Sequence, residues 1–170
     1  MTAGGADDAA GDSGGGTTAG RGHGVPADPL YMEQCLRLAR EARSAGETGV
    51  GSLVVRGHRV IGRGAEATRG ELDPSAHAEM VAIREACRTV GSLDLTGCTL
   101  YTTVEPCFLC AYAIRATRVG RVVVGTDAGE VGALGSRYAI LSDGSFGCWG
   151  PPPEVRTGVL EEECRALRTP

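Results

Sequence analysis

Residue types that hold soft metal ions fall at two places in this chain. The segment DPSAHAEM, residues 73–80, puts His77 two positions before Glu79. The segment EPCFLC, residues 105–110, sets Cys107 and Cys110 in a Cys-x-x-Cys pair. Two thiols spaced three residues apart at a helix start lie on the same side of the helix. The free amides and the positive end of the helix dipole there favour thiolate over thiol. His77 supplies a third ligand. Of the other two histidines, His23 lies in a polar N-terminal stretch and His58 at a Gly-His turn, and neither belongs with this set. Three such ligands with one position left open describe a catalytic zinc, whereas a structural zinc takes four. No second Cys-x-x-Cys and no closely spaced His pair offers the fourth. Zinc lowers the pKa of a bound water to about 7, and the released proton needs a carrier to the leaving nitrogen. Glu79, beside the ion but not bound to it, suits that role. Taken alone it would be an ordinary first-turn surface residue; His77, Cys107 and Cys110 make it a candidate shuttle.

These side chains need elements to position them. The spacing of apolar residues predicts a helix over 29–46, with Tyr31, Cys35, Leu38, Ala39 and Ala42 on one face and Gly46 closing it. VGSLVVR and RVIGRG flank Gly57-His58 and read as a hairpin. A second helix is expected over 74–91, opened by Pro74, closed by Gly91 and buried along Met80, Ile83, Ala86 and Cys87. A strand over 98–104, a helix over 106–118 and a buried, parallel strand over 121–126 follow. Residues 143–155 read as a loop and 159–168 as a short terminal helix. Helices that follow extended segments and carry the Cys and His residues at their starts indicate a layered α/β domain.

Residues 1–28 are rich in Gly, Ala, Asp, Ser and Thr, too poor in large apolar groups to offset the entropy of ordering. They are expected to form a disordered tail ahead of one domain over 29–170, and they lack the apolar run of a signal peptide. Seven cysteines, an odd number with one tight pair, favour a reducing, cytoplasmic setting and a metal role over disulfides. No apolar stretch is long enough for a membrane span. The net charge is −4, and every basic residue is Arg. An acidic balance argues against a nucleic-acid partner without excluding a local basic patch.

The combination HAE (77–79) and PCFLC (106–110) resembles the signature of zinc-dependent nucleobase and nucleoside deaminases. The segments VIGRGAEATRGELDPSAHAEM, TLYTTVEPCFLCAYAI and RVGRVVVGTDAGEVGALGS are similar to the branch holding guanine deaminases, tRNA adenosine deaminases and fungal cytosine deaminases. The resemblance covers roughly residues 30–136. It implies a three-layer α/β/α fold around a central five-stranded mixed sheet, and one Zn2+ per chain on His77, Cys107 and Cys110. It also implies Glu79 as proton shuttle, a homodimer, and base contacts from the backbone near Ala76 and from the carbonyl near Glu105 and Pro106.

Departures from that branch bear on the substrate. Its members usually carry Asn where Glu66 stands here, and an ionised carboxylate only accepts hydrogen bonds. Glu66 either meets a substrate edge rich in donors or turns to solvent. Past residue 125, Asp127, Ala128 and Glu130 stand where the tRNA-editing members carry a basic residue, an Asp and a second basic residue. Phe146 or Trp149 would either close over the base or anchor a proline-rich loop. The expectation is therefore hydrolytic deamination of a small amino-heterocycle, a purine such as guanine favoured, with nucleic acid disfavoured by the acidic rim. The alternatives are a tRNA wobble-adenosine deaminase, a cytosine-like or non-standard heterocycle deaminase, and a non-catalytic zinc-stabilised scaffold.

Overall fold

A computed structural model describes residues 27–168. The tail expected over 1–28, with His23, lies outside the described residues except for Ala27 and Asp28. The chain runs α1 (Ala27–Ser44), β1 (Gly51–Arg56), β2 (Arg59–Ala65), α2 (Ala78–Val90), β3 (Cys98–Val104), α3 (Phe108–Ala116), β4 (Arg121–Thr126), β5 (Glu154–Arg156) and α4 (Glu161–Arg168). The strands form one sheet in the order β2-β1-β3-β4-β5. β1 is antiparallel to β2 and β3, while β3, β4 and β5 run parallel. This is the five-stranded mixed sheet that the resemblance implied.

Alternating side chains send the sheet's apolar residues to two cores. Leu53, Val55, Tyr101 and Val123 pack under α1 and α4 with Met32, Cys35, Leu36 and Cys164. Val54, Leu100, Val122 and Val124 pack under α2 and α3 with Ala82, Ile83, Ala86, Ala111 and Ile114. The result is three layers, α/β/α. Helix α2 lies unusually close to β2 because the strand offers glycines: a Cβ on Gly64 would sit 1.9 Å from the Ala78 carbonyl oxygen, and one on Gly62 2.2 Å from that of Ala82. With small Ala78, Ala82 and Ala86 on the facing side, the helix settles on the strand and its first turn comes to the end of the sheet where β3 and β4 finish.

The element boundaries differ from expectation in ways that matter for the site. α2 begins at Ala78, not at 74. The Asp73 carboxylate accepts hydrogen bonds from the Ser75 amide and hydroxyl, 2.8 and 2.7 Å, and this turn delays the helix. α3 begins at Phe108, after Pro106 and Cys107. α1 starts two residues early, because Asp28 is tied down in its first turn. β5 was expected to be loop; three residues after a run of prolines carry no legible period. Among the described residues, no helix is long and apolar enough to cross a membrane.

Candidate metal centre and active site

Starting α2 at Ala78 makes His77 its N-cap residue, and Cys107 is the N-cap of α3. Both have extended backbone, and neither side chain caps its own helix. Both are thereby free to turn towards each other, and Cys110 joins them from the first turn of α3. The His77 Nδ1 lies 3.5 Å from the Cys107 Sγ and 3.5 Å from the Cys110 Sγ, and the two sulfurs are 3.7 Å apart. A tetrahedral zinc with Zn–S of about 2.3 Å and Zn–N of about 2.0–2.1 Å has ligand-to-ligand edges of about 3.8 Å (S–S) and about 3.6 Å (S–N). The three atoms stand at that spacing, so the donor set fits zinc in both chemistry and geometry. His77, Cys107 and Cys110 are also the one such ligand group among the described residues.

Electrostatics favour metal binding. The hydrogen bond with Cys110 pulls the Cys107 thiol down to about 5, helped by the backbone amides of Cys110 and Leu109 at the helix start. The same bond, together with burial, pushes Cys110 up. A metal ion takes both thiols as thiolates, so binding here releases protons.

Glu79 is buried in the first turn of α2. Its Oε1 accepts from the Thr102 hydroxyl at 3.0 Å, and its Oε2 lies 3.5 Å from the Cys110 Sγ. Burial raises its carboxyl to about 7, and the charge on Cys107 pushes the same way. Thr102 is a site residue that the motif reading missed. Strand alternation signals it, since Thr102 shares with Leu100 the β3 face beneath α2.

Glu66 neither faces solvent freely nor stands apart. One oxygen accepts from the Ala78 amide at 3.2 Å and the other from the Thr68 hydroxyl at 3.2 Å, so its carboxylate sits at the N-terminus of α2 beside His77. Ala76 is buried; its amide donates to the Asp73 carbonyl and its carbonyl accepts from the Ala67 amide, both at 3.0 Å, closing the 66–77 loop. The Glu105 carboxylate points into the loop after β4, accepting from the amides of Ala128, Leu134 and Gly135 at 3.1, 2.6 and 2.7 Å. The Pro106 carbonyl accepts from the Ala133 amide at 2.9 Å. Glu105 thus fixes the wall of a cavity of about 680 Å³, lined also by Asp127, Glu130, Arg137 and Tyr138.

Phe146 and Trp149 lie further along α3. Trp149 meets Phe146 and Tyr112 edge-on or tilted, with ring centroids 5.1 and 5.3 Å apart, and sits under the Arg115 guanidinium. Arg115 is buried and donates to the carbonyls of Leu141, Asp143 and Gly150. These contacts gather the 140–150 loop on the second half of α3, while Cys107 and Cys110 stand at its start.

The model of the cytidine and deoxycytidylate deaminase zinc-binding region matches residues 26–126, a span that holds all three ligands and Glu79. The tRNA-specific adenosine deaminase of Bacillus subtilis (strain 168) is 39% identical over 140 residues, covering 82% of this chain and 85% of that protein. A structure from studies of A-to-I editing by tRNA:A34 deaminases at the wobble position of transfer RNA is 36% identical. It matches with a TM-score of 0.76 over 81% of this chain and 98% of the other. Guanine deaminase from Bacillus subtilis is 34% identical, with a TM-score of 0.56 over 58% of this chain and 63% of that one.

Proposed function

This chain belongs to the zinc-binding cytidine and deoxycytidylate deaminase family, and we propose that within it the chain deaminates adenosine in transfer RNA. The observation that carries this reading is the similarity to a tRNA-specific adenosine deaminase across most of both chains. The tRNA-acting relatives exceed guanine deaminase in identity, coverage and TM-score. That similarity outweighs the acidic rim, on which a free purine was expected and a nucleic-acid partner was not.

Zinc held by His77, Cys107 and Cys110 would supply the Lewis acidity that makes water nucleophilic near neutral pH. Glu79 takes a proton from the attacking water as it adds to the carbon bearing the exocyclic amine. It passes that proton to the ring nitrogen, and a later proton to the amine, which leaves as ammonia. One water is consumed, one ammonia is released, and Glu79 ends in its starting charge state. Burial of the carboxyl raises its affinity for a proton, which suits it to accept one and pass it on. Thr102 fixes one carboxylate oxygen and leaves the other on the ligand side.

A second reading, deamination of free guanine, draws support from Glu66 beside His77 and from Asp127 and Glu130 on the cavity rim. Assays of ammonia release and of inosine formation, run on a tRNA anticodon stem-loop and on guanine with Glu79→Ala as control, separate the two. Turnover of the stem-loop is expected; turnover of guanine alone would replace the first reading with the second. A homodimer belongs to the same proposal, supported by exposed Leu109 and Tyr112 on the outer side of α3. Light scattering should give twice the chain mass.

A further inference from the structure

At the end of the sheet where the metal ligands lie, but on the α1/α4 side, three arginines distant in sequence converge. Arg43, Arg69 and Arg168 line a cleft of about 220 Å³ with Gly46, Glu47, Thr48, Gly49 and Leu167. Each guanidinium is oriented by main-chain carbonyls. Arg43 Nη1 donates to those of Ala166 and Leu167 at 3.1 and 3.3 Å. Arg69 Nη1 donates to that of Gly46 at 2.8 Å. Arg168 donates to those of Asp127 and Ala128 at 2.7 and 3.1 Å. A guanidinium carries five N–H donors, so these bonds hold each group in place without using it up.

Three guanidiniums in the cleft are offset in part by two carboxylates. Among the described residues Arg43 and Arg69 form no salt bridge, and the carboxylate near Arg168 is Asp127 at 3.7 Å. The carboxylate in the lining, Glu47, is buried and its oxygens accept from the backbone amides of Arg69 and Gly70 at 3.2 and 2.6 Å. Val50, Ala78, Val104 and Ala128 pack together, with Ala78 next to His77 and Ala128 held by Arg168. The cavity that carries Asp127 and Glu130 borders the cleft at Asp127, whose carbonyl Arg168 also contacts.

We propose that the Arg43–Arg69–Arg168 cleft binds a backbone phosphate of the RNA strand flanking the target nucleotide. The inference rests on the transfer-RNA reading above. Planar guanidiniums pre-set by carbonyls match phosphate in a forked geometry, and phosphate neutralisation supplies much of the affinity for nucleic acid.

The test measures KM, kcat and the salt dependence of stem-loop binding for wild type, Arg69→Gln, the Arg43→Gln/Arg69→Gln double variant and Arg69→Lys. The double variant should raise KM roughly tenfold with kcat nearly unchanged, and each lost arginine should flatten the salt slope by about one. Arg69→Lys should recover the slope but not all of the affinity. Arg43 also anchors α4, so Arg69→Gln carries the test if the double variant melts early. Unchanged KM and slope in Arg69→Gln, with wild type turning over the stem-loop, would overturn the cleft and leave the tRNA reading standing. A wild type that neither binds nor deaminates the stem-loop would remove both. Inorganic phosphate at matched ionic strength is the remaining arm. If it raises the melting temperature of wild type but not of Arg69→Gln while KM stays fixed, the cleft is a small-anion site and the RNA contact is refuted.

Discussion

Tyr101 and Thr102, consecutive residues of β3, each donate a hydroxyl to a carboxylate on opposite faces of the sheet, and the two carboxylates have opposite fates. On the α1 face Tyr101 donates to Asp28 at 3.0 Å, and Arg121 and Arg156 add guanidinium bonds of 2.8, 2.9 and 2.7 Å. Hydrogen bonding to Arg121 above all holds Asp28 down at about 2. On the α2 face Thr102 donates to Glu79 at 3.0 Å, no cationic side chain among the described residues pairs with it, and burial lifts it to about 7. Burial alone does not decide what a carboxylate does. Cations turn Asp28 into a strut that pins the start of α1 to β4 and β5. At Glu79 burial outweighs the hydrogen bonds and raises the affinity for a proton.

The contrast can be broken most severely at Glu79. Glu79→Gln should keep fold and zinc yet lower kcat by about 10²–10⁴-fold; near-wild-type turnover would remove Glu79 from proton transfer. The matching change across the sheet, Asp28→Asn, should leave kcat alone and cost about 2 kcal/mol of stability, measured by urea unfolding. Its pH dependence has a fixed sign. The folded pKa lies below the unfolded value near 3.8, so the contribution is complete above about pH 4 and fades as pH falls towards about 2. In Asp28→Asn that acid-side loss should be smaller than in wild type. The finest comparison uses the two hydroxyl donors. Thr102→Val should lower kcat, by roughly tenfold, with little change in melting temperature. Tyr101→Phe should cost about 1 kcal/mol of stability and spare kcat. Equal effects of the two changes on kcat would erase the distinction between strut and shuttle.

What was legible in the sequence is what is local. His77, Glu79, Cys107 and Cys110 announce themselves by spacing, and the strands over 98–104 and 121–126 by β-branched runs. The start of α2 was misplaced because Pro74 imitates a helix opening while the Asp73–Ser75 turn, a competition among neighbouring polar groups, wins. β5 is too short to show a period and exists because β4 offers it an edge. The Asp28 strut joins residues 93 and 128 positions apart, and the arginine cleft joins residues from α1, a loop and α4; no window along the chain contains either. The expectation of a free purine leaned on Asp127 and Glu130, which sit together in sequence, whereas Arg43, Arg69 and Arg168 meet only in the fold.

Metal content and coordination test the account most directly. Purified protein analysed for metal and by X-ray absorption should contain one zinc per chain, with two sulfur neighbours at about 2.3 Å and two lighter atoms at about 2.0–2.1 Å, one from His77 and one exchangeable. Protein that takes up no zinc, or a zinc whose four neighbours are all side chains, would contradict it.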